Sequence, residues 1–417
     1  MKKLIWLTII TLCCLNYANA QQKENLIEEL LKSKPELFNI ILNDSTKHEV
    51  QIVYTQIDRD KNNKPSFTTY TYNVDRNRYF FPASTVKLPL SLLSLEKINN
   101  LNIKGLTKET PLKIDSASRK QIAVSTDTSA VNSLPSIGQY IKKILLVSDN
   151  DGYNRLYEFL GQQYINETLK QKGFNDVRIL TRYIVGDDTI TARYTNPIQF
   201  YNEKKIVYSQ PQIYNETDYF KGLKPIMRGI GYMNSKDSII YKPFNFGLKN
   251  CYPLEEQQKL LRTLMFPETV PSSQRFNLTN DDYNFLYKYM SMLPAESKHP
   301  DYSNAKEYKP SIVKFLMFGD KTDNIPANIR IFNKIGDSYG YLIDNAYIVD
   351  FDKKVEFMLS AVVFSNADGI FNDSKYEYET ICYPFMGNLG RLIYDYEVNR
   401  TKKQLPDLSK FKFDYKK

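Results

Sequence analysis

Alternation of apolar and polar residues, the mark of half-buried strands, is concentrated in two blocks at opposite ends of this chain, which limits the folds open to it. The first block holds "HEVQIVYTQIDRD" (48–60) and "PSFTTYTYNV" (65–74), joined by the turn-like "KNNKP". The second holds "NIRIFNKIG" (328–336), "YGYLIDNAYIVDF" (339–351) and "VEFMLSAVVFS" (355–365), with "DKK" (352–354) as a hairpin turn. Residues 101–330 read mostly as helices and loops. Helical spacing also marks 23–41 and 376–398. The pattern predicts an α/β (α+β) chain: an antiparallel sheet built from both chain ends, flanked by terminal helices, with an all-helical lobe inserted. Expected boundaries are 21–100 and 327–417 for the sheet lobe and 101–326 for the helical one. At 417 residues the chain exceeds one ordinary core, so two lobes with a cleft between them are expected.

The start of the chain reads as a leader. Met1-Lys2-Lys3 is basic, Leu4 to Leu15 is apolar but too short to span a bilayer, and Ala18-Asn19-Ala20 supplies small residues for cleavage. Cleavage after Ala20 would place the mature chain in the periplasm or outside the cell. An anchor on Cys13 or Cys14 is disfavoured, because Leu12 precedes Cys13 where a small residue is usual. Removal of residues 1–20 takes away two lysines and lowers the net charge from +9 to +7. That excess is spread along the chain, so no nucleic-acid arm is expected. No later segment is long and apolar enough for a transmembrane span. Cys251 and Cys382 remain and could pair. With only His48 and His299, a histidine-rich zinc site is excluded and a histidine base is disfavoured. No cofactor is implied.

Ser-x-x-Lys occurs five times, at Ser84, Ser94, Ser303, Ser311 and Ser409, so the tetrapeptide alone carries no information. Only Ser84 follows a strand and turn and opens an apolar helix, "KLPLSLLSLEKINNL" (87–101). There Ser84 and Lys87 share a face near free backbone N–H groups, and burial would lower the lysine's pKa enough for it to act as a base. Two further features fit. Ser148-Asp149-Asn150 occupies the break between two helical runs in 136–161. Lys334-Ile335-Gly336 is the only Lys-x-Gly in the chain and lies on a strand, where Gly336 would admit a substrate backbone.

In this order the three elements resemble those of the penicillin-recognising serine hydrolases, and most closely the class A β-lactamases. The resemblance implies that Ser84 is the acylated nucleophile, Lys87 its proton acceptor, Ser148 a proton relay and Lys334 a positive charge beside it. Asn150 would hold a substrate amide, and backbone N–H groups of Ser84 and Asp337 would form the oxyanion hole. The interval from Ser148 to Lys334 is long for the family, which implies an insertion around 205–325. Two positions depart from the pattern. Ile335 stands where a hydroxyl would meet a substrate carboxylate, so that recognition is weakened or passes to Ser338. The segment 180–201, where a glutamate should activate the deacylating water, contains no glutamate. Its carboxylates, Asp187 and Asp188, read as solvated loop residues. The expected function is an exported serine hydrolase acting on a small-molecule or peptide amide, β-lactam or ester. A D,D-peptidase or transpeptidase acting on peptidoglycan peptides is the alternative, and a non-catalytic envelope-ligand-binding protein the second.

Overall fold

The computed structural model describes residues 26–117, 122–184, 188–203, 205–304, 306–321 and 325–415. The leader expected at 1–20 lies outside these residues, and so does Asp187. The helices are α1 (26–32), α2 (Pro35–Asn43), α3 (Lys87–Leu101), α4 (Ile137–Val147), α5 (Asn150–Leu160), α6 (Gln162–Gln171), α7 (Leu254–Met265), α8 (Asn280–Ser291), the single turn α9 (Phe315–Phe318) and α10 (Tyr383–Asn399). The main strands are β1 (Gln51–Arg59) and β2 (Pro65–Tyr72), then, after seven shorter strands, β10 (Ile329–Ser338), β11 (Tyr341–Asp350) and β12 (Val355–Phe364).

These five strands form one antiparallel sheet in the order β10-β11-β12-β1-β2, so both ends of the chain meet in it. The β1–β12 pairing, Gln51 opposite Val362, joins the two blocks. Side chains alternate across the sheet. Phe332, Tyr347, Val349 and Met358 enter the core beneath α7 and α8, and Ile331, Ile335, Ile348 and Phe357 enter the core under α2 and α10. Layers on both faces explain why all ten residues of β11 are buried. The sheet is thus enclosed by helices on each side, and β10 is left as an edge.

Two expectations need correction. The N-terminal helical pattern is two helices, because Pro35 excludes the α conformation from Lys34 (φ −132°, ψ 60°). The stretch expected to be all helix and loop also contains strands: β3 (Leu112–Ile114), β4 (Ile198–Asn202) and β5 (Lys205–Gln210) make one small sheet. Further on, β6 (Met227–Arg228) pairs with β9 (Phe244–Asn245), and β7 (Gly231–Met233) pairs with β8 (Ile239–Ile240) and with β13 (Ile370–Phe371). Pairings of two or three residues are too short to leave a period in the sequence. Cys251 and Cys382 are both free thiols. Among the described residues no helix is long and apolar enough to cross a membrane.

Candidate active site

The Ser84 turn forms where the chain leaves the first hairpin and enters α3. Ala83–Val86 make a 3₁₀ turn, and Lys87 N–H donates to the carbonyls of Ser84 and Thr85. Three residues per turn place the Ser84 and Lys87 side chains one above the other. Thr85 ties the turn down, its hydroxyl donating to the Pro82 carbonyl (2.7 Å). Ala83 carries a positive φ (46°), a conformation that L-residues rarely adopt, immediately before the serine. Ser84 itself is half-buried and lines a cavity of about 510 Å³.

Lys87 is fully buried. Its Nζ donates to Asn150 Oδ1 (2.7 Å), to Ser148 Oγ (3.3 Å) and to the Ser148 carbonyl. Burial lowers its pKa to about 7, against the opposing pull of Asp149 and Asp337. A substantial fraction is therefore neutral near pH 7, as a base requires.

The break between α4 and α5 is built by two adjacent caps. Ser148 closes α4 in the left-handed conformation (φ 59°), and the Asp149 carboxylate accepts from Gly152 N–H (2.6 Å) to open α5. That sharp reversal points the Ser148 hydroxyl between two lysines. Lys334 Nζ donates to Ser148 Oγ (2.8 Å) and to the Ile335 carbonyl (2.8 Å). Burial, and then the charge of Lys87, push the Lys334 pKa well below its usual value. Asn150 spends its Oδ1 on Lys87, which leaves its amide N–H groups for a ligand at the cavity wall.

Gly336 sits where β10 crosses the Ser84 turn. A side chain there would stand 2.9 Å from both the Pro82 carbonyl and Ser84 N. Close approach of a substrate backbone was expected at this glycine, and the chain's own nucleophile turn also lies against it. Asp337 and Ser338 follow it into the cavity wall. Ile335 faces the opposite way, 2 % exposed, in the core beneath α10. It is absent from the cavity.

The structure therefore gathers all eight expected site residues. Ser84, Asn150, Asp337 and Ser338 line one cavity, Lys87, Ser148 and Lys334 form the hydrogen-bonded cluster behind it, and Gly336 spaces the strand from the turn. The rival Ser-x-x-Lys at Ser94 is not equivalent: Ser94 is buried inside α3, and Lys97 is occupied by Gln210 Oε1 (2.7 Å) and the Phe159 carbonyl. His48 is bound to the Phe364 carbonyl (3.0 Å), and neither histidine lines the cavity.

Tyr183 escaped notice in the sequence. It comes from the segment expected to supply a water-activating carboxylate. Its ring lies 5.7 Å from Lys87 Nζ and stacks on Tyr153 (4.7 Å), and its hydroxyl donates to the Ala83 carbonyl. The adjoining Arg182 anchors the segment, pairing with Glu158 (2.9 Å) with both side chains out of solvent, and donating to the Tyr194 and Thr191 carbonyls. Asp188 accepts from Ile190 N–H (2.9 Å), Thr191 N–H (2.8 Å) and the Thr191 hydroxyl (3.0 Å), so its carboxylate holds an exposed turn. The only signal for these roles was the segment's position in the chain order.

A second cavity of about 390 Å³ shares Thr181 and Lys249 with the first and is walled by Phe220, Tyr232, Phe244 and Leu248. Residues 220–249, within the stretch expected to be an insertion (205–325), thus contribute directly to the site's surroundings.

The pattern of the Beta-lactamase enzyme family matches residues 33–209. That span contains Ser84, Lys87, Ser148 and Asn150. No curated protein sequence matches the chain. Solved structures similar to it include a class A β-lactamase from Mycobacterium abscessus, at 12 % identity, with 87 % of this chain and 97 % of that one covered and a TM-score of 0.45. A β-lactamase from Xanthomonas campestris aligns at 11 % identity over 88 % of this chain and 98 % of its own, with a TM-score of 0.47. One from Sphaerobacter thermophilus aligns at 10 % identity, covering 86 % and 94 %, with a TM-score of 0.44.

Proposed function

From a chain that is β-lactamase-related over residues 33–209, we propose an exported serine hydrolase that acts on an amide, lactam or ester through an acyl-enzyme on Ser84. The observation that carries this reading is the buried cluster in which Lys87, with a pKa near 7, and Lys334 both donate to Ser148 Oγ, one turn below Ser84. Neutral Lys87 takes the Ser84 proton as Oγ bonds to the acyl carbon. The oxyanion is received by the Ser84 and Asp337 N–H groups, which Gly336 allows to lie close together. Ser148 then passes its proton to the departing atom as that bond breaks and recovers one from the adjoining lysines. Asn150 holds a substrate amide.

Release of the acyl group is less well provided for. The loop segment facing Lys87 presents the Tyr183 ring, and the Asp188 carboxylate is engaged in its own turn. This favours the reading as a penicillin-binding-type D,D-peptidase, which releases the acyl group slowly to water, or a transpeptidase, in which an amine takes it instead. The basic, apolar leader at 1–20 supports export to the periplasm, where such peptides occur.

The test is intact-mass analysis of the mature protein incubated with a fluorescent penicillin and with activated esters, beside Ser84→Ala. A persistent adduct on wild type, reduced by a factor of roughly a thousand or more in the rate of formation in the variant, supports slow deacylation. Rapid turnover without an adduct would point to an efficient lactamase. Equal inertness of both proteins towards every compound would sink the catalytic reading.

A further inference from the structure

We propose that the acyl portion of the substrate carries an apolar group, aryl or alkyl, that reaches from the Ser84 cavity into the second cavity. This rests on the Ser84 acyl-enzyme reading. The two cavities share Thr181 and Lys249 in their walls. Aromatic rings continue from one to the other. Phe81 and Tyr339 line the Ser84 cavity and meet edge to face (5.1 Å), and Tyr339 stacks on Phe244 (5.4 Å). Phe244 in turn meets Tyr232 edge to face (5.3 Å) in the wall of the second cavity. Phe220 and Leu248 add to that wall, and Leu248 is left 39 % exposed. An apolar cavity of roughly 150 Å³ holds a benzene ring. A space of about 390 Å³ therefore admits a ring and the chain that leads to it.

The polar side chains of the second cavity do not call for an ionic ligand. Asn245 Oδ1 accepts from Ile226 N–H (3.0 Å) and Gly247 N–H (2.9 Å), and the Asp188 carboxylate holds its own turn. Lys249 stands where the cavities meet, with Nζ 5.7 Å from the centre of the Phe244 ring. Asp188 and Lys249 are of opposite sign, so the wall favours neither an anion nor a cation. What it offers beyond two threonines is apolar area, worth about fourfold in affinity for each methylene taken from water. The Ser84 cavity differs, with Asn150, Lys249, Asp337 and Ser338 in its wall. It keeps those groups for the reacting amide and for any charged group beside it. Arg182, which also borders it, is taken up by Glu158 and two carbonyls.

The acyl portion is the one concerned because the departing atom has to reach Ser148. Ser148, Lys87 and Lys334 form the cluster behind Ser84 and border neither cavity. The second cavity is reached instead along Tyr339 and Thr181, which take no part in that relay. Its apolar wall, from Phe220 to Leu248, lies beyond residue 209, where the family pattern ends. The preference for an apolar acyl group thus belongs to this chain's own inserted segment.

The experiment follows thiol release from thioesters of one leaving thiol whose acyl groups end in phenyl after one, three or five methylenes. Each rate is divided by that of alkaline hydrolysis. From the shortest chain to the longest, kcat/KM should rise by about tenfold or more. A five-methylene acyl group ending in a carboxylate should show no such gain, and phenyl chains placed on the leaving thiol should give a flat series. Leu248→Glu should erase the gain while leaving the rate with the acetyl thioester and the melting temperature unchanged. Calorimetry on Ser84→Ala with the uncleavable thioether analogues should show tighter binding with length and a negative heat-capacity change. The inference is overturned by a flat acyl series, an equal gain on the carboxylate-ended chain, a gain that follows the leaving thiol, or a gain kept in Leu248→Glu. A neutral fluorophosphonate separates the two readings: labelling of Ser84 without length preference defeats only this inference, whereas length preference in binding without labelling defeats only the acyl-enzyme.

Discussion

At Lys87 the decisive quantity is the cost of burying an ammonium. The side chain is fully enclosed, and its three hydrogen-bond partners are neutral oxygens, so burial outweighs the nearby Asp149 and Asp337 and brings the pKa to about 7. As a base it works only when deprotonated. The acylation rate of Ser84 should therefore rise with pH, reach half its maximum near pH 7 and stand about tenfold below the plateau at pH 6. Stopped-flow measurement of adduct formation between pH 5.5 and 9 checks this. A rate independent of pH across that range would remove Lys87 from the role of base. This much of the site was legible because its logic is local: a serine and a lysine three residues apart on one turn, a polar break between helices, and a lone Lys-x-Gly on a strand. Gly336 was recognised as a point of close approach, but no sequence pattern reveals that Pro82 and Ser84 fill the space its side chain would need.

Among the elements, the segment 180–196 is the one that long-range pairing, rather than its own sequence, holds in place. Arg182 meets Glu158 of α5 with both side chains shut away from water, and Glu158 also accepts from Asn196 N–H. Removing one partner strands a buried charge, which costs far more than a surface pair would. Arg182→Met should lower the unfolding free energy by about 3–5 kcal/mol, with Arg182→Met/Glu158→Leu recovering part of it, as read by urea titration. The single variant should also slow Ser84 acylation, because Tyr183 follows Arg182 directly and bonds the Ala83 carbonyl beside the nucleophile. Wild-type stability in Arg182→Met would show that the pair does not anchor the segment. Neither this pair nor the Tyr183 contact could be foreseen, because 24 residues separate Arg182 from Glu158 and no periodicity links them. The same holds for β7, whose partners are β8 and the distant residues 370–371, and for β6 and β9, two-residue strands that pair with each other and carry no alternating run of their own. The five-stranded sheet was foreseeable for the opposite reason: ten-residue strands buried on both faces need long apolar stretches.

Over the whole molecule, lysines taken from water should make stability depend on pH in an unusual direction. Lys87, Lys97, Lys314 and Lys334 all have pKa values lowered chiefly by burial. Between about pH 7 and the ordinary lysine value of 10.5, the unfolded chain binds protons at these positions that the folded chain does not. Unfolding then takes up protons, so stability rises with pH, by up to about 1.4 kcal/mol per pH unit for each lysine fully neutral in the fold. Enclosed tyrosines reverse the trend at the alkaline end. Burial raises the phenols of Tyr54, Tyr140 and Tyr252 above 10, so above that pH the unfolded chain loses protons that the fold retains, and stability falls. The melting temperature should accordingly climb from pH 7 to a maximum between about 9 and 10 and decline beyond it. Lys97→Met tests the assignment at a position away from the Ser84 cavity. Lys97 is held by Gln210 and the Phe159 carbonyl, and its removal should flatten the rise without shifting the alkaline decline. Calorimetric scans of both proteins at constant ionic strength decide the matter: a melting temperature that falls steadily from pH 7 would mean that the lysines remain charged in the fold, and Lys87 with them.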